Sequence, residues 1–525
     1  MFNISLLALT LCGGVLVEPF RIADAEQGHH QGCLRAAMAP DGHFAVAWVD
    51  YFQPLGARLE LDLYIRFFDP DGSPLTDAYE ITKEVDTNRI CGSHLDMDSA
   101  GNTVLLWTEN PGLGPTNEVL LRLQLFDSSG NPLDSPQTDH QGYLSTSNRA
   151  VGSSLNDQGE FAVAWTWDTG GVICARRYSF EGGPQGDPFR VHGDLPDDVG
   201  SNYPGVALND AGDLVITWLE RHTAVHLYPR FQAFDAEDEP ILPWEPMGHR
   251  VDDGEELYDG DRPEVYWLDE DRFVVFWVDW RTGKPGHSQP VGRVFSDRGL
   301  TRHPIRAVIT EDSLWSAHGG PEGWYSTAVS PNDSFAYTYT RTYSDYPDTS
   351  DPSKKRYWNH EAGILGYIQD NEPIRRTTLF EYTPPWGADT VYGDRYNQYH
   401  TKPPAVACCD DRLVWVYSRP NPDTIFEAFV MITDWDMGEG VVESPIQTAS
   451  PIRLEASLNR LAYDVTGEAK LTLYSADGRK VLEETIQGKG IWTPSYPPSS
   501  LPSGVYFARV EDGSFSATQK LILVK

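Results

Sequence analysis

Sulfur, positive charge and long apolar runs are all scarce in this chain. It has six cysteines and six methionines in 525 residues. One cysteine, Cys12, lies in a short apolar N-terminal run. The other five, Cys33, Cys91, Cys174, Cys408 and Cys409, are odd in number and thinly spread, which excludes a disulfide-built scaffold. No CxxC pair is present to suggest a zinc or thiol–disulfide site. Basic residues are few, 41 Lys and Arg against 77 Asp and Glu, a net charge of −36. Phosphate binding needs a basic face, so the charge argues against nucleic acid as a partner. Docking to anionic lipid through a polybasic patch is disfavoured for the same reason. No stretch reaches the roughly 18–20 apolar residues of a spanning helix, so no transmembrane segment is expected. Amphipathic helical periodicity is absent, as are a GxSxG elbow and a P-loop. His360-Glu361 opens a zincin-like string without its second histidine.

Residues Ile4 to Gly14 are apolar, with Cys12 and Gly14 at the small-residue positions of a signal cleavage site. Residues 1–14 are therefore read as a signal peptide. Cys33 and Cys91 occupy nearly equivalent repeat positions, where either a disulfide or two buried thiols would fit.

What is abundant is a repeat. A turn followed by an alternating apolar strand ends at Trp48, Trp107, Trp165, Trp218 and Trp277, with spacings of 59, 58, 53 and 59. Degenerate copies end at Tyr339 and Tyr417, the last spacing enlarged to 78. Runs rich in Val, Ile, Tyr, Phe and Trp, bounded by Gly, Asp and Pro, read as strands and hairpin turns. About four strands fit each unit, close to the length of a propeller blade. The expectation is an all-β protein: a seven-bladed β-propeller over 15–446, with an insertion around 341–400, followed by a small antiparallel β-sandwich over 447–525. Glu18-Pro19-Phe20-Arg21-Ile22 matches Asp187-Pro188-Phe189-Arg190-Val191, an outermost strand. The N-terminal copy is expected to pair into the last repeat and so protect an edge.

Charge marks the domain boundary. Residues 447–525 carry nine basic and eight acidic side chains, so all of the negative excess lies before them. Within this segment Leu471–Val481 is a strand and turn containing Gly478-Arg479-Lys480. Leu501–Val510 contains Gly504 and Tyr506, and the chain ends in a strand with Lys520-Leu521. These three ordered motifs resemble the type IX secretion C-terminal sorting domain, though Pro451-Ile452-Arg453 stands where an Asn-Pro-Phe is often seen. The resemblance implies that Gly478, Arg479, Gly504, Tyr506, Lys520 and Leu521 form the sorting signal. It also implies a partner in the type IX machinery, passage through the periplasm, and an extracellular or outer-membrane-surface destination. The preceding repeats are similar to Trp-rich repeats of secreted bacterial proteins, which implies a fold and no chemistry.

Chemistry is thin in the linear pattern. Asp69-Pro70-Asp71-Gly72-Ser73 and Asp96-Met97-Asp98-Ser99-Ala100-Gly101 are hairpin turns, not EF-hand loops. Asp252, Asp253, Glu255, Asp259 and Asp261 crowd one loop, and a divalent cation such as calcium would relieve their repulsion; a solvated loop needs none. Asp279 with Arg281 and Glu220 with Arg221 read as structural ion pairs. The insertion is rich in aromatics, with Tyr357, Trp358, Trp386, Tyr392 and Tyr396 the candidate ligand-binding set, able to stack on sugars or peptide side chains. Filling a satellite core is their other use. The expectation is a monomeric, non-catalytic binding module for a glycan or protein ligand, with no cofactor required. The alternative is a carbohydrate-active enzyme, a glycosidase or lyase.

Overall fold

The computed structural model describes residues 14–523 apart from connecting segments, chiefly 25–28, 53–59, 83–88, 111–118, 143–150, 168–170, 223–225, 253–259, 280–288, 309–324, 346–355, 383–403, 421–425, 436–452, 476–478 and 494–503. Two compact units divide at Val442 and Glu443.

The first unit consists of seven antiparallel sheets in chain order. In the first six, the strands pair in sequence, apart from Arg306–Ala307 of the fifth sheet, which pairs back with Gln289–Ser296. The first strands are His30–Met38, Arg89–Met97, Val151–Leu155, Val199–Leu208, Gly260–Trp267 and Tyr325–Val329. The first five turn back into the Trp-bearing strand, as in Phe44–Phe52 and Leu214–His222, and the sixth into Ser334–Asp345, which carries Tyr339 instead. The seventh sheet is composite. Ala405–Cys408, Leu413–Pro420 and Phe426–Thr433 are completed by the N-terminal strand Val15–Arg21. Its register sets Arg21 opposite Phe429, so the expected pairing of the N-terminal segment with the last repeat is present.

None of these sheets is closed or curled, and no propeller is evident. The expectation of a seven-bladed β-propeller is corrected to an all-β array of separate, open, mostly four-stranded sheets. The physical reason is that the Trp spacing encodes how each sheet is built. It does not encode how sheets are arranged against one another.

Repeat chemistry explains each sheet. Trp48, Trp107, Trp165, Trp218, Trp277 and Trp415 are almost wholly buried. Each contributes on the order of 1.5–3 kcal/mol relative to exposure. In the seventh sheet the buried indole is Trp415, two residues before the Tyr417 of the sequence pattern. The turns into the Trp strands use glycine where φ is positive, as at Gly42 (φ +90) and Gly101 (φ +87). Asp98 closes the second turn by accepting from Ala100 N at 2.9 Å and Asn102 N at 2.8 Å.

Arginine ties neighbouring sheets together. Arg66 donates to Ile22 O at 2.7 Å, Arg293 to Val251 O at 2.9 Å, Arg177 to Gly212 O at 2.8 Å and Arg412 to Pro70 O at 3.2 Å. The recurring acid two residues after Trp is likewise structural. Glu220 pairs with Arg230 at 2.8 Å and Glu109 with Arg122 at 3.3 Å, each across to the next strand.

The second unit is one antiparallel sheet of five strands, in place of the expected sandwich. The reason is the 16-residue strand Arg460–Ser475. Its first half pairs with Arg453–Ser457 and its second half with Gly504–Asp512, while Lys480–Trp492 runs along its other edge. Leu461, Leu471, Leu473, Ala508 and Val510 form its buried face.

Candidate active site

The first strands of all seven sheets line one cavity of about 380 Å³. Their sequences contain β-bulges just before the lining residues. The register slips between Gly32 and Arg35, between Asn202 and Gly205, and between Asp261 and Glu264. Two bulge residues are non-glycine with positive φ, Cys33 (+55) and Tyr203 (+58). Left-handed backbone at such residues is costly and is kept where a bulge must re-aim a side chain.

The bulged and regular strands present equivalent positions to the cavity: Arg35, His94, Gly205, Glu264 and Ser326 line it, and Gly152, paired with Ala164, holds the same register position in the third sheet. At two of them the neighbouring first strand presses close. A Cβ on Gly152 would stand 2.6 Å from Pro204 O, and one on Gly205 would stand 2.7 Å from Pro263 O. At the positions of His94 and Glu264 a functional side chain occupies the space instead.

His94 and Asp96 are two residues apart on one strand and project to the same side. Ser153, from the next sheet, meets them. His94 Nδ1 lies 3.2 Å from Asp96 Oδ2 and 3.1 Å from Ser153 Oγ, and Ser153 Oγ also donates to Asp96 Oδ2. Hydroxyl and carboxylate therefore share one ring nitrogen. An acyl-transfer triad would place them on opposite nitrogens, so Ser153 is not arranged as a nucleophile. Asp96, ionised, can only accept, which sets Nδ1 as the protonated nitrogen and Nε2 as the lone-pair nitrogen. Among the described residues Nε2 takes no hydrogen bond, and the ring is 38% exposed. Arg35 stands beside this group, donating from Nε to Ser93 O and from Nη1 to Leu34 O, both at 2.7 Å.

Glu264 and Tyr266 repeat the same spacing, answered by Thr327. Glu264 Oε2 accepts from Thr327 N at 3.0 Å and Thr327 Oγ1 at 2.5 Å. Tyr266 Oη donates to Thr327 O at 2.8 Å. Cys408 also lines the cavity, but burial and the nearby Cys409 and Asp410 push its thiol well above the usual range. It is held as a neutral thiol, a poor nucleophile.

The residues singled out from sequence fall elsewhere. Tyr357 and Trp358 lie on the strand Arg356–Gln369, opposite Ser344 and Tyr343, so this part of the insertion is a lengthened hairpin within the sixth sheet. Trp386, Tyr392 and Tyr396 lie outside the described residues. Asp252 is buried and held by Arg250 through two contacts of 2.6 Å. Asp253, Glu255 and Asp259 lie outside the described residues, and Asp261 pairs by backbone with Val278. Among the described residues no group of three or more His, Cys, Asp or Glu is arranged to hold a metal ion. Cys33 is not in a disulfide, so it is not bridged to Cys91. In the second unit Tyr506 is buried and faces Ser475 across the sheet, while Ser475 N donates to the Arg479 carbonyl oxygen at 2.9 Å, closing the turn. Gly504 pairs with Leu523, and Lys520 and Leu521 sit on the last strand opposite Phe507 and Tyr506. Gly478 lies outside the described residues. The cavity groups escaped the sequence reading because Ser153 belongs to a different repeat from His94 and Asp96; the one usable signal was polar side chains two apart on a first strand.

Several solved structures are similar to this chain. An ulvan lyase of a new polysaccharide lyase family is 9% identical, with 81% of this chain and 98% of that one covered and a TM-score of 0.48. A protein of unknown function from Dyadobacter fermentans is 10% identical, covering 79% and 99%, with a TM-score of 0.41. An α-L-arabinofuranosidase of Fusarium graminearum is 12% identical, covering 54% and 92%, with a TM-score of 0.29. No curated protein matches the chain. The expectation of a non-catalytic binding module is corrected: the similar structures include polysaccharide lyases and glycosidases, and the cavity assembles groups that no linear motif announced. At these identities and scores the likeness carries no argument about this chain's reaction, which rests on its own residues.

Among the described residues no helix is long and apolar enough to cross a membrane. The family model of the secretion system C-terminal sorting domain matches residues 453–525, in agreement with the three motifs of the sequence. This chain therefore carries a type IX secretion C-terminal sorting domain, which associates it with that secretion system and with an extracellular or cell-surface location.

Proposed function

We propose that the protein is a carbohydrate-active enzyme that cleaves a polysaccharide by β-elimination, with the reaction in the cavity of the first strands. The observation that carries this reading is His94: it lines the cavity, Nδ1 is engaged by Asp96 and Ser153, and among the described residues Nε2 takes no hydrogen bond. That is the arrangement of a general base. A base of this strength can remove a carbon-bound proton only where the carbanion is stabilised. The C5 proton of a uronate, adjacent to its carboxylate, is such a proton. Arg35 supplies the cation for that carboxylate, since a guanidinium matches a carboxylate in shape and charge.

The electrons balance within one step. His94 Nε2 takes the C5 proton, the C–H pair becomes the C4–C5 double bond, and the C4–O bond to the next sugar breaks. The imidazolium returns its proton to the leaving oxygen on the same face of the ring. Asp96 steadies the imidazolium while it exists.

The secretion signal suits a polymer that cannot enter the cell. Incubation of the full chain with a panel of uronate-containing polysaccharides should generate an unsaturated product absorbing in the ultraviolet. New reducing ends without that absorbance would mean hydrolysis and would overturn the eliminative reading. Export through the periplasm by the type IX route, with removal of the sorting domain, completes the proposal.

A further inference from the structure

A base that takes and returns a proton must stay fixed in plane and in tautomer. We propose that Ser153 is a positioning residue for His94: its hydroxyl links Asp96 to the imidazole and fixes the ring relative to the third sheet. This rests on the cavity being the catalytic site.

Two observations support it. The first is the slot that Ser153 occupies. In each first strand one residue pairs with the position two before the last ring of the repeat; in the third sheet this is Ser153, opposite Val163. Ala36, Leu95, Val206, Val265 and Val406 hold the same slot in five other sheets. It is a core position, and all of these but Ala36 are buried. A buried hydroxyl costs free energy there unless it is hydrogen-bonded. Hydroxyls stand in this slot at two places, Ser153 and Thr327. Each meets a carboxylate from the preceding sheet, Asp96 and Glu264 respectively. The polar residue in an apolar slot thus goes with a carboxylate in the cavity.

The second observation is the direction of the hydrogen bonds. A serine has one hydroxyl proton, and an ionised Asp96 can only accept it. Ser153 Oγ therefore donates to Asp96 Oδ2 and turns a lone pair to His94 Nδ1, 3.1 Å away. Asp96 shares a strand with His94 and moves with it, whereas Ser153 comes from the next sheet. The strand of Ser153 is pinned from its other side. There Ser154 Oγ accepts from Leu208 N at 3.0 Å, and a Cβ on Gly152 would stand 2.6 Å from Pro204 O. Side chains alternate along a strand, so Gly152 and Ser154 hold the backbone against the fourth sheet while Ser153 faces the second. The imidazole is thereby held from two sheets at once.

The test uses the full chain with isotopically labelled histidine and reads the His94 ring by NMR, its signals assigned by their loss in His94→Gln. The wild type should show Nδ1 protonated and its proton slow to exchange. Ser153→Ala should speed that exchange about tenfold with little change in urea midpoint, because alanine fills the slot in the first sheet. Ser153→Thr, which carries the residue of the sixth-sheet slot, should restore the slow exchange. With a cleaved polymer, Ser153→Ala should lower kcat about tenfold to a hundredfold at unchanged KM. In an Asp96→Asn background the same replacement should add little, because the link is already broken. Unchanged exchange in Ser153→Ala overturns the proposal, as does a folded Ser153→Thr protein that behaves like Ser153→Ala. Losses of kcat that simply add in the double variant overturn it too, and so does a Ser153→Ala protein that loses stability and KM while keeping kcat, since Ser153 would then serve packing alone. Absence of an unsaturated product refutes elimination alone, because the ring signals are read without turnover.

Discussion

Replacing Gly205 with alanine adds one carbon at the place where the first strands of the fourth and fifth sheets meet. That carbon would lie 2.5 Å from Thr217 Oγ1 and 2.7 Å from Pro263 O. Neither neighbour yields easily, because Thr217 is fully buried and Pro263 offers backbone. Ordinary contacts are roughly 3.5–4 Å, so the strands must part by on the order of 1 Å. Overpacking of this kind costs about 1–3 kcal/mol. The hydrogen bond from Thr217 Oγ1 to Pro263 O, 3.0 Å long, would be lost as well, for about 1 kcal/mol. The expected loss of stability is about 2–4 kcal/mol, read from urea unfolding monitored by tryptophan fluorescence. A functional consequence follows because Pro263 precedes Glu264. A displacement near 1 Å in the lining of the cavity lowers kcat/KM by up to about a hundredfold. Gly183→Ala is the control: it has φ +73 with nothing within 4 Å of the new carbon, so it carries backbone strain of about 1–2 kcal/mol and no cavity effect. A Gly205→Ala protein destabilised by less than about 0.5 kcal/mol, with unchanged turnover, would refute the close-approach argument.

His94→Ala should lower kcat by about 10²–10⁴-fold on any cleaved polymer with the fold intact by circular dichroism; retained turnover would remove His94 from the chemistry. Trp218→Ala should cost about 3–5 kcal/mol in the unfolding midpoint analysis, since the indole is wholly buried. His192 is held below the ordinary histidine range, chiefly by burial, and its Nε2 accepts from Ile173 N at 3.1 Å. Because the unfolded chain takes up this proton more readily, its contribution is full above about pH 6.5 and is lost as pH falls below that value. His192→Gln should flatten the dependence of urea stability on pH between neutral and mildly acidic buffers. Deletion of residues 504–525 removes two strands of the sorting sheet and should leave the protein inside the cell by fractionation; undiminished secretion would contradict the sorting assignment.

Sequence alone determined the all-β class, the sheet-by-sheet repeat, the partner strand at Arg21 and the sorting domain. Each depends on local pattern: alternation, turn residues, a buried Trp at fixed spacing, or an ordered set of motifs. The acidity noted at the outset lies in the repeat region, outside the near-neutral sorting segment, and within that region structure divides it by role. Glu220 and Glu109 are held in ion pairs, Asp98 closes a turn, and only Asp96 and Glu264 of these reach the cavity. That division was invisible in one dimension. His94 and Ser153 are 59 residues apart in the chain, and Glu264 and Thr327 are 63 apart. The repeat places them in register, yet which slot is a closing glycine and which a projecting side chain depends on how closely neighbouring first strands pack. The bulges before Arg35, Gly205 and Glu264 decide that too, by turning side chains that simple alternation would have assigned to the other face. Packing between sheets is non-local, and so tertiary structure, not sequence pattern, assembled the site.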